Sequence, residues 1–153
     1  RAEEEQASLL RQWLDRAQRC AVAFQTPDLQ QLTGTRADLG TASYTAVKDR
    51  LRRLRGIGAD IRFIYLFRTT GEPGRVVFLA DSEPEGSDDQ SLPGDDYPEA
   101  LNSPGLQAIL RDYRPVTEGP LRDSFGEWMT AYAPIGDLPP PGAPRFILGL
   151  DVD

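Results

Sequence analysis

Ile61-Arg-Phe-Ile-Tyr-Leu-Phe67 leads into Thr70-Gly-Glu-Pro-Gly74, and Val76-Val-Phe-Leu-Ala80 answers it. Branched and aromatic residues fill the two flanks, and glycine and proline fill the middle. Side chains of that kind suit a pleated, half-buried surface, and a Gly/Pro cluster supplies the reversal, so the stretch reads as a β-hairpin. It decides the fold because the apolar spacing before it is helical, whereas most of the chain after it reads as strand.

Upstream, Leu9, Leu10, Trp13, Leu14, Ala17, Cys20, Ala21 and Phe24 recur at three- and four-residue steps. That is one apolar stripe on a long helix over residues 3–25. Thr26-Pro27-Asp28 reads as a restart, with Thr26 as N-cap and Pro27 in the first turn, carrying helix to about residue 33. Gly34 and Gly40 bracket a loop. A second helix is predicted over 43–55, with Tyr44, Val47, Leu51 and Leu54 buried and Gly56 or Gly58 as its stop.

Downstream, residues 81–98 are acidic and rich in Gly, Pro and Ser, which predicts a long covering loop. Ser103-Pro104 opens a short helix through Tyr113, with Leu106, Ile109 and Leu110 inward. Strands are predicted near 114–118, 127–134 and 145–152, the last two joined by a stiff connection containing Pro139, Pro140 and Pro141. Short links between consecutive strands favour an antiparallel sheet. The predicted class is α+β: five strands, a long N-terminal helix on one face, a loop plus short helix on the other.

The chain of 153 residues fits one domain spanning 1–153, with helices at 3–33 and 43–55 and a sheet with its covering loop at 61–153. Its 39% hydrophobic and 27% charged residues are ordinary for a globular domain. A net charge of −7 argues against nucleic acid, whose phosphates call for a basic surplus. The basic run from Arg50 to Arg55 falls on a predicted helix and reads as a solvated face. The one cysteine, Cys20, excludes an internal disulfide and sits at core spacing. There is no histidine, which removes the usual general base and the commonest metal ligand.

Asp88-Asp89 and Asp95-Asp96 are adjacent pairs, and neighbouring carboxylates do not converge on one bond. The glycines form no phosphate-binding pattern. Asp81, Glu83, Glu85 and Gly86 open like a calcium loop but put Leu92 where a bidentate Glu belongs. The expectation is a chain with no catalytic residues, no metal and no cofactor.

The candidate ligand-binding set is Tyr65, Asp81, Tyr97, Arg122, Asp123, Trp128 and Tyr132. Trp128, Thr130 and Tyr132 alternate and so share one face of one strand. Tyrosine and tryptophan offer an apolar wall with a polar edge. Arg122 suits a carboxylate, and Asp81 or Asp123 suits an ammonium. Leu9 and Trp13, near the outer end of the first helix, are candidate contacts to a second copy, making a homodimer possible.

The order of elements, with Ile64-Tyr65-Leu66, Ala80-Asp81-Ser82, Pro93-Gly94-Asp-Asp-Tyr97, Gly126-Glu-Trp128, Ala131-Tyr132-Ala-Pro134-Ile135 and Leu148-Gly149-Leu-Asp151-Val-Asp153, resembles the PDC or Cache family. These are PAS-like extracytoplasmic sensor domains of bacterial transmembrane receptors. The resemblance covers nearly the whole chain and implies one such module between two membrane helices, in the periplasm. It implies a small-molecule ligand (organic acid, amino acid or amine) and an output such as a histidine kinase, or alternatively a diguanylate cyclase. In relatives that bind amino acids an arginine stands close before the tryptophan; here Arg122 precedes Trp128 by six positions. The chain stops on its last strand pattern, from which we expect the natural protein to continue. The rival expectation is a PAS-like protein-interaction or dimerisation module without a small ligand.

Overall fold

The computed structural model describes residues 1–123 and 126–153, with side chains described outside 121–126. Helix α1 is Ala2–Val22, α2 is Thr26–Leu29 and α3 is Ala42–Arg55. Strands β1 (Ile61–Thr69) and β2 (Val76–Asp81) follow, then a 3-10 turn at Pro98–Asn102 and α4 (Pro104–Asp112). Strands β3 (Val116–Asp123), β4 (Gly126–Pro134) and β5 (Phe146–Val152) complete the chain. The five strands form one antiparallel sheet in the order β2-β1-β5-β4-β3, the PAS-like arrangement expected from the sequence.

Local chemistry accounts for the helix ends. Glu3, Glu4 and Glu5 face the positive end of the α1 dipole. Thr41 caps α3 by accepting from the Tyr44 amide at 3.2 Å, and Gly56 stops it. Ser103 caps α4 by accepting from the Leu106 amide at 3.2 Å. The expected cap at Thr26 lies one residue earlier, because Gln25 is the extended residue and Thr26 is already helical. The tail of the expected first helix is likewise replaced by a turn at Ala23 and the short α2.

Alternation along the three central strands separates two faces. One face presents Ile64, Leu66, Ala131, Ala133, Phe146, Leu148, Leu150 and Val152 to a core completed by Trp13, Ala17, Cys20 and Ala21 of α1 and Tyr44, Val47 and Leu51 of α3. The other presents Tyr65, Phe67, Tyr132 and Ile147 to Ala100, Leu106, Ile109 and Tyr113. Strand β3 runs five residues beyond the predicted 114–118. Its pairing is irregular between Glu118 and Leu121, around Pro120. Proline is tolerated there because β3 is an edge strand with no outer partner for its nitrogen.

Buried charge is the larger departure. Lys48 of α3 is 1% exposed, and its ammonium meets the Asp81 carboxylate at 2.9 Å. The start of the acidic segment is therefore interior: Asp81, Ser82 and Glu83 are all buried. The sequence reading made 81–98 too polar for a core. It is admitted because Asp81 also accepts from the Glu83 and Ser91 amides, and Arg55 pairs with Glu83.

A buried pair of this kind costs little when complete and much when halved. Lys48→Met should destabilise the protein by about 3–5 kcal/mol in urea unfolding, by stranding Asp81. The double change Lys48→Met/Asp81→Leu should recover part of that loss and not all of it, since the Glu83 and Ser91 amides lose their acceptor.

Candidate ligand-binding site

The pairing register builds the site. Across the face away from α1, Tyr65 of β1, Gly149 of β5 and Tyr132 of β4 stand side by side, with Val116 of β3 next in the row. The adjacent row is Phe63, Asp151, Thr130 and Glu118. A Cβ on Gly149 would lie 2.1 Å from the Tyr65 ring, so only glycine lets that ring lie across β5. The Tyr65 hydroxyl then reaches Asp151 and donates to Oδ1 at 2.9 Å, while Thr130 donates to the same oxygen at 2.8 Å.

This environment shifts the ionisable groups. Burial pushes the Asp151 carboxyl up to about 6, opposed by hydrogen bonds from Thr130 and Tyr65 and by the Arg62 charge. Burial, helped by the Asp151 charge, holds Tyr65 well above the ordinary phenol range. Tyr132 is raised chiefly by burial too, with a hydrogen bond to Ser103 pulling the other way. Tyr97 is pushed up to about 12 by burial, with Asp151 the largest charge acting on it. The three phenols are thus neutral at physiological pH and arranged around one carboxyl.

The rim is aromatic and charged. The register slips between Ile61 and Phe63, and the Arg62 guanidinium lies 4.7 Å from the centre of the Trp128 ring. Trp128 itself is half-buried. Glu118 accepts from Ser103 at 2.6 Å and from the Gly105 amide at 3.1 Å, fixing the start of α4 over the sheet. On the β2 side, Phe67, Phe78 and Tyr97 pack with ring centres 4.8 to 5.7 Å apart, filling that part of the face.

Of the residues singled out from sequence, Tyr65, Tyr97 and Tyr132 come together around Asp151, with Trp128 beside Arg62. Asp81 does not join them: its carboxylate is engaged by Lys48 and by backbone amides of the acidic segment. Arg122 and Asp123 pair through their backbones with Glu127 and Gly126, and their side chains lie outside the described residues. Trp13 is 8% exposed within the α1 core, whereas Leu9 is 46% exposed. Asp151, Thr130, Glu118 and Arg62 were not among the site residues read from sequence. The usable signal for Asp151 was a carboxylate in alternation with Phe146-Ile-Leu-Gly-Leu150, on the strand position that faces away from the apolar core.

No family model matches the chain, and no curated protein matches it significantly. Two solved structures are similar to the chain. One is an extracellular ligand binding receptor from Desulfohalobium retbaense DSM5692, with 11% identity and a TM-score of 0.50 over 97% of this chain and 23% of that one. The other is the ligand-binding domain of the Campylobacter jejuni chemoreceptor Tlp3 in complex with L-valine, with 14% identity and a TM-score of 0.45 over 95% of this chain and 60% of that one. The chain therefore spans about a quarter of the first structure's length and less than two thirds of the second's.

Two measurements probe the site. Gly149→Ala should expel the Tyr65 ring from β5 and cost about 1–3 kcal/mol of stability, as overpacking does; Tyr65→Ala in the same chain should recover part of that loss. The raised Asp151 pKa means the fold holds that proton more tightly than the unfolded chain, whose carboxyl titrates near 3.8. Its contribution is greatest when the group is protonated and is lost as pH rises from about 4 through about 6. Asp151→Asn should flatten the stability profile there by roughly 2–3 kcal/mol relative to the parent, read by denaturation at a series of pH values.

Proposed function

We propose that the chain is the extracytoplasmic sensing domain of a bacterial transmembrane receptor, and that it binds a small polar ligand on the covered face of its sheet. The observation that carries this reading is Asp151, a half-buried carboxyl held by Tyr65 and Thr130 among three neutral phenols. A carboxylate so placed has the chemistry to accept an ammonium, and the Trp128 and Arg62 rim has the chemistry to receive an apolar body or a carboxylate. Amino acids, amines and organic acids are the classes that fit. Arg122 and Asp123, on the hairpin beside Trp128, belong to the proposed rim. Asp81 contributes by holding the segment that leads to Tyr97.

The proposed output route starts from the place of Asp151 in the sheet. Asp151 lies near the end of β5, and α1 packs on β4 and β5. A ligand that prefers one position of Asp151 shifts β5 against α1, and only that preference can move the equilibrium. Membrane helices flanking the chain would carry the shift to a histidine kinase, the output we favour, or to a diguanylate cyclase. No helix among the described residues is itself long and apolar enough to cross a membrane. Leu9 borders a groove of about 270 Å³ with Leu10, Trp13, Trp128 and Met129, and this is where a second copy would meet α1. Trp13 would serve as the groove's floor. The packed rings of Phe67, Phe78 and Tyr97 favour, as a second reading, a protein-interaction module without a small ligand.

A thermal-shift screen of amino acids, amines and organic acids decides between the two. A true ligand at about a hundredfold over its Kd should raise Tm by roughly 5–10 °C. Trp128→Ala and Asp151→Asn should each remove that rise. A rise that survives both substitutions would put the ligand elsewhere, and no rise with any class would favour the interaction module.

A further inference from the structure

The acidic segment after β2 is fastened along its length. Asp81 Oδ2 accepts from the Ser91 amide at 2.6 Å, closing residues 81–91 into a ring. From α3, Lys48 reaches Asp81 at 2.9 Å and Gln90 at 3.5 Å, and Arg55 pairs with Glu83. From the loop before α3, Arg36 donates to the Pro93 carbonyl at 2.6 Å and pairs with Asp95. Gly94 has φ +95, and a Cβ there would stand 3.0 Å from the Gly34 carbonyl, so the segment lies directly on that loop.

The far end of the segment is fixed to the sheet. The Gly94 amide donates to the Phe78 carbonyl, and the Phe78 amide donates to the Asp95 carbonyl, both at 2.9 Å. Val77 and Asp96 form a further bridge, so 94–96 covers the outer edge of β2. The next residue, Tyr97, packs its ring on Phe67 and Phe78 beside the candidate site.

We infer that residues 82–97 form a strap around the β2 edge, coupling the covered face of the sheet to α3 on the opposite face, with the Lys48–Asp81 pair as its clasp. A segment held only at its two ends could open without disturbing α3. This one is gripped by α3 side chains at one end and carries Tyr97 at the other, so displacement of Tyr97 loads α3. As a signal route the strap rests on the sensor reading; as a mechanical coupling it stands without any ligand.

The test therefore uses no ligand. Tyr97→Ala, a half-buried position, loosens the strap at the site end, and native-state hydrogen exchange reads α3 amides 44–51 and strap amides 82–95. In the parent chain, Tyr97→Ala should speed exchange in both regions, by about tenfold in α3, the size of coupling seen within one network. In the Lys48→Met/Asp81→Leu background, where the clasp is replaced by apolar groups, the strap should still respond and the α3 response should shrink, Arg55 and Glu83 keeping a second tie. An equal α3 response in both backgrounds, or none in the parent, overturns the inference. Should the double variant not fold, Arg36→Gln/Arg55→Gln replaces it: a smaller α3 response supports the strap, and an undiminished one overturns it. Because ligand binding is measured separately by thermal shift, loss of the sensor reading and loss of the strap give different results.

Discussion

The fold depends on one constraint at its centre: β5 must be apolar on one side and accommodate a neighbour's ring on the other. Phe146, Leu148, Leu150 and Val152 point into the core beneath α1 and α3. Ile147, Gly149 and Asp151 point the other way, between β1 and β4. The missing side chain at Gly149 admits the Tyr65 ring, and that ring's hydroxyl satisfies Asp151. Backbone pairing places both neighbours, and the pleat makes the separation of faces absolute, since a slip by one residue would exchange them. The apolar core and the candidate site are consequences of the same register.

The two faces are built from different chemistry. The α1 side is apolar and close-packed, with Trp13, Phe24, Tyr44 and Phe146 among aliphatic side chains, suited to holding a helix in place. The opposite side concentrates phenols, a carboxyl and a polar cap on α4, all within a layer closed by residues 92–113. Two carboxyls of that layer are held by partners: Glu118 by Ser103 and Gly105, Asp151 by Tyr65 and Thr130. Burial leaves the carboxyl less acidic than it would be in water, so a cationic group entering beside it would gain more than at the surface. That difference is why the proposed ligand site is put on this face and not on the other.

The acidic segment shows how charge can be structural in a chain of net charge −7. Its carboxylates at 81, 83 and 95 each meet a cation or backbone amides rather than solvent alone. The segment accordingly runs over both α3 and the β2 edge, and it links parts of the molecule that the sheet otherwise separates.

Periodicity alone established the order of helices and strands, the antiparallel sheet and the two-sided covering, because those depend on the spacing of apolar side chains along a local stretch. Alternation also put Trp128 and Tyr132 on one face of one strand, whereas Tyr65 and Tyr97 were marked by side-chain chemistry and by the family motifs around them. Periodicity could not supply Lys48 with Asp81, thirty-three positions apart, nor Tyr65 with Asp151, eighty-six apart. Those pairings need the register of distant strands and the approach of a helix to a loop. Without them, a lysine on a helix and an aspartate near a chain end read as solvated charges. The tertiary structure made one a buried ion pair and the other a hydrogen-bonded carboxyl at the candidate site, because burial and partnership are properties of the assembled sheet.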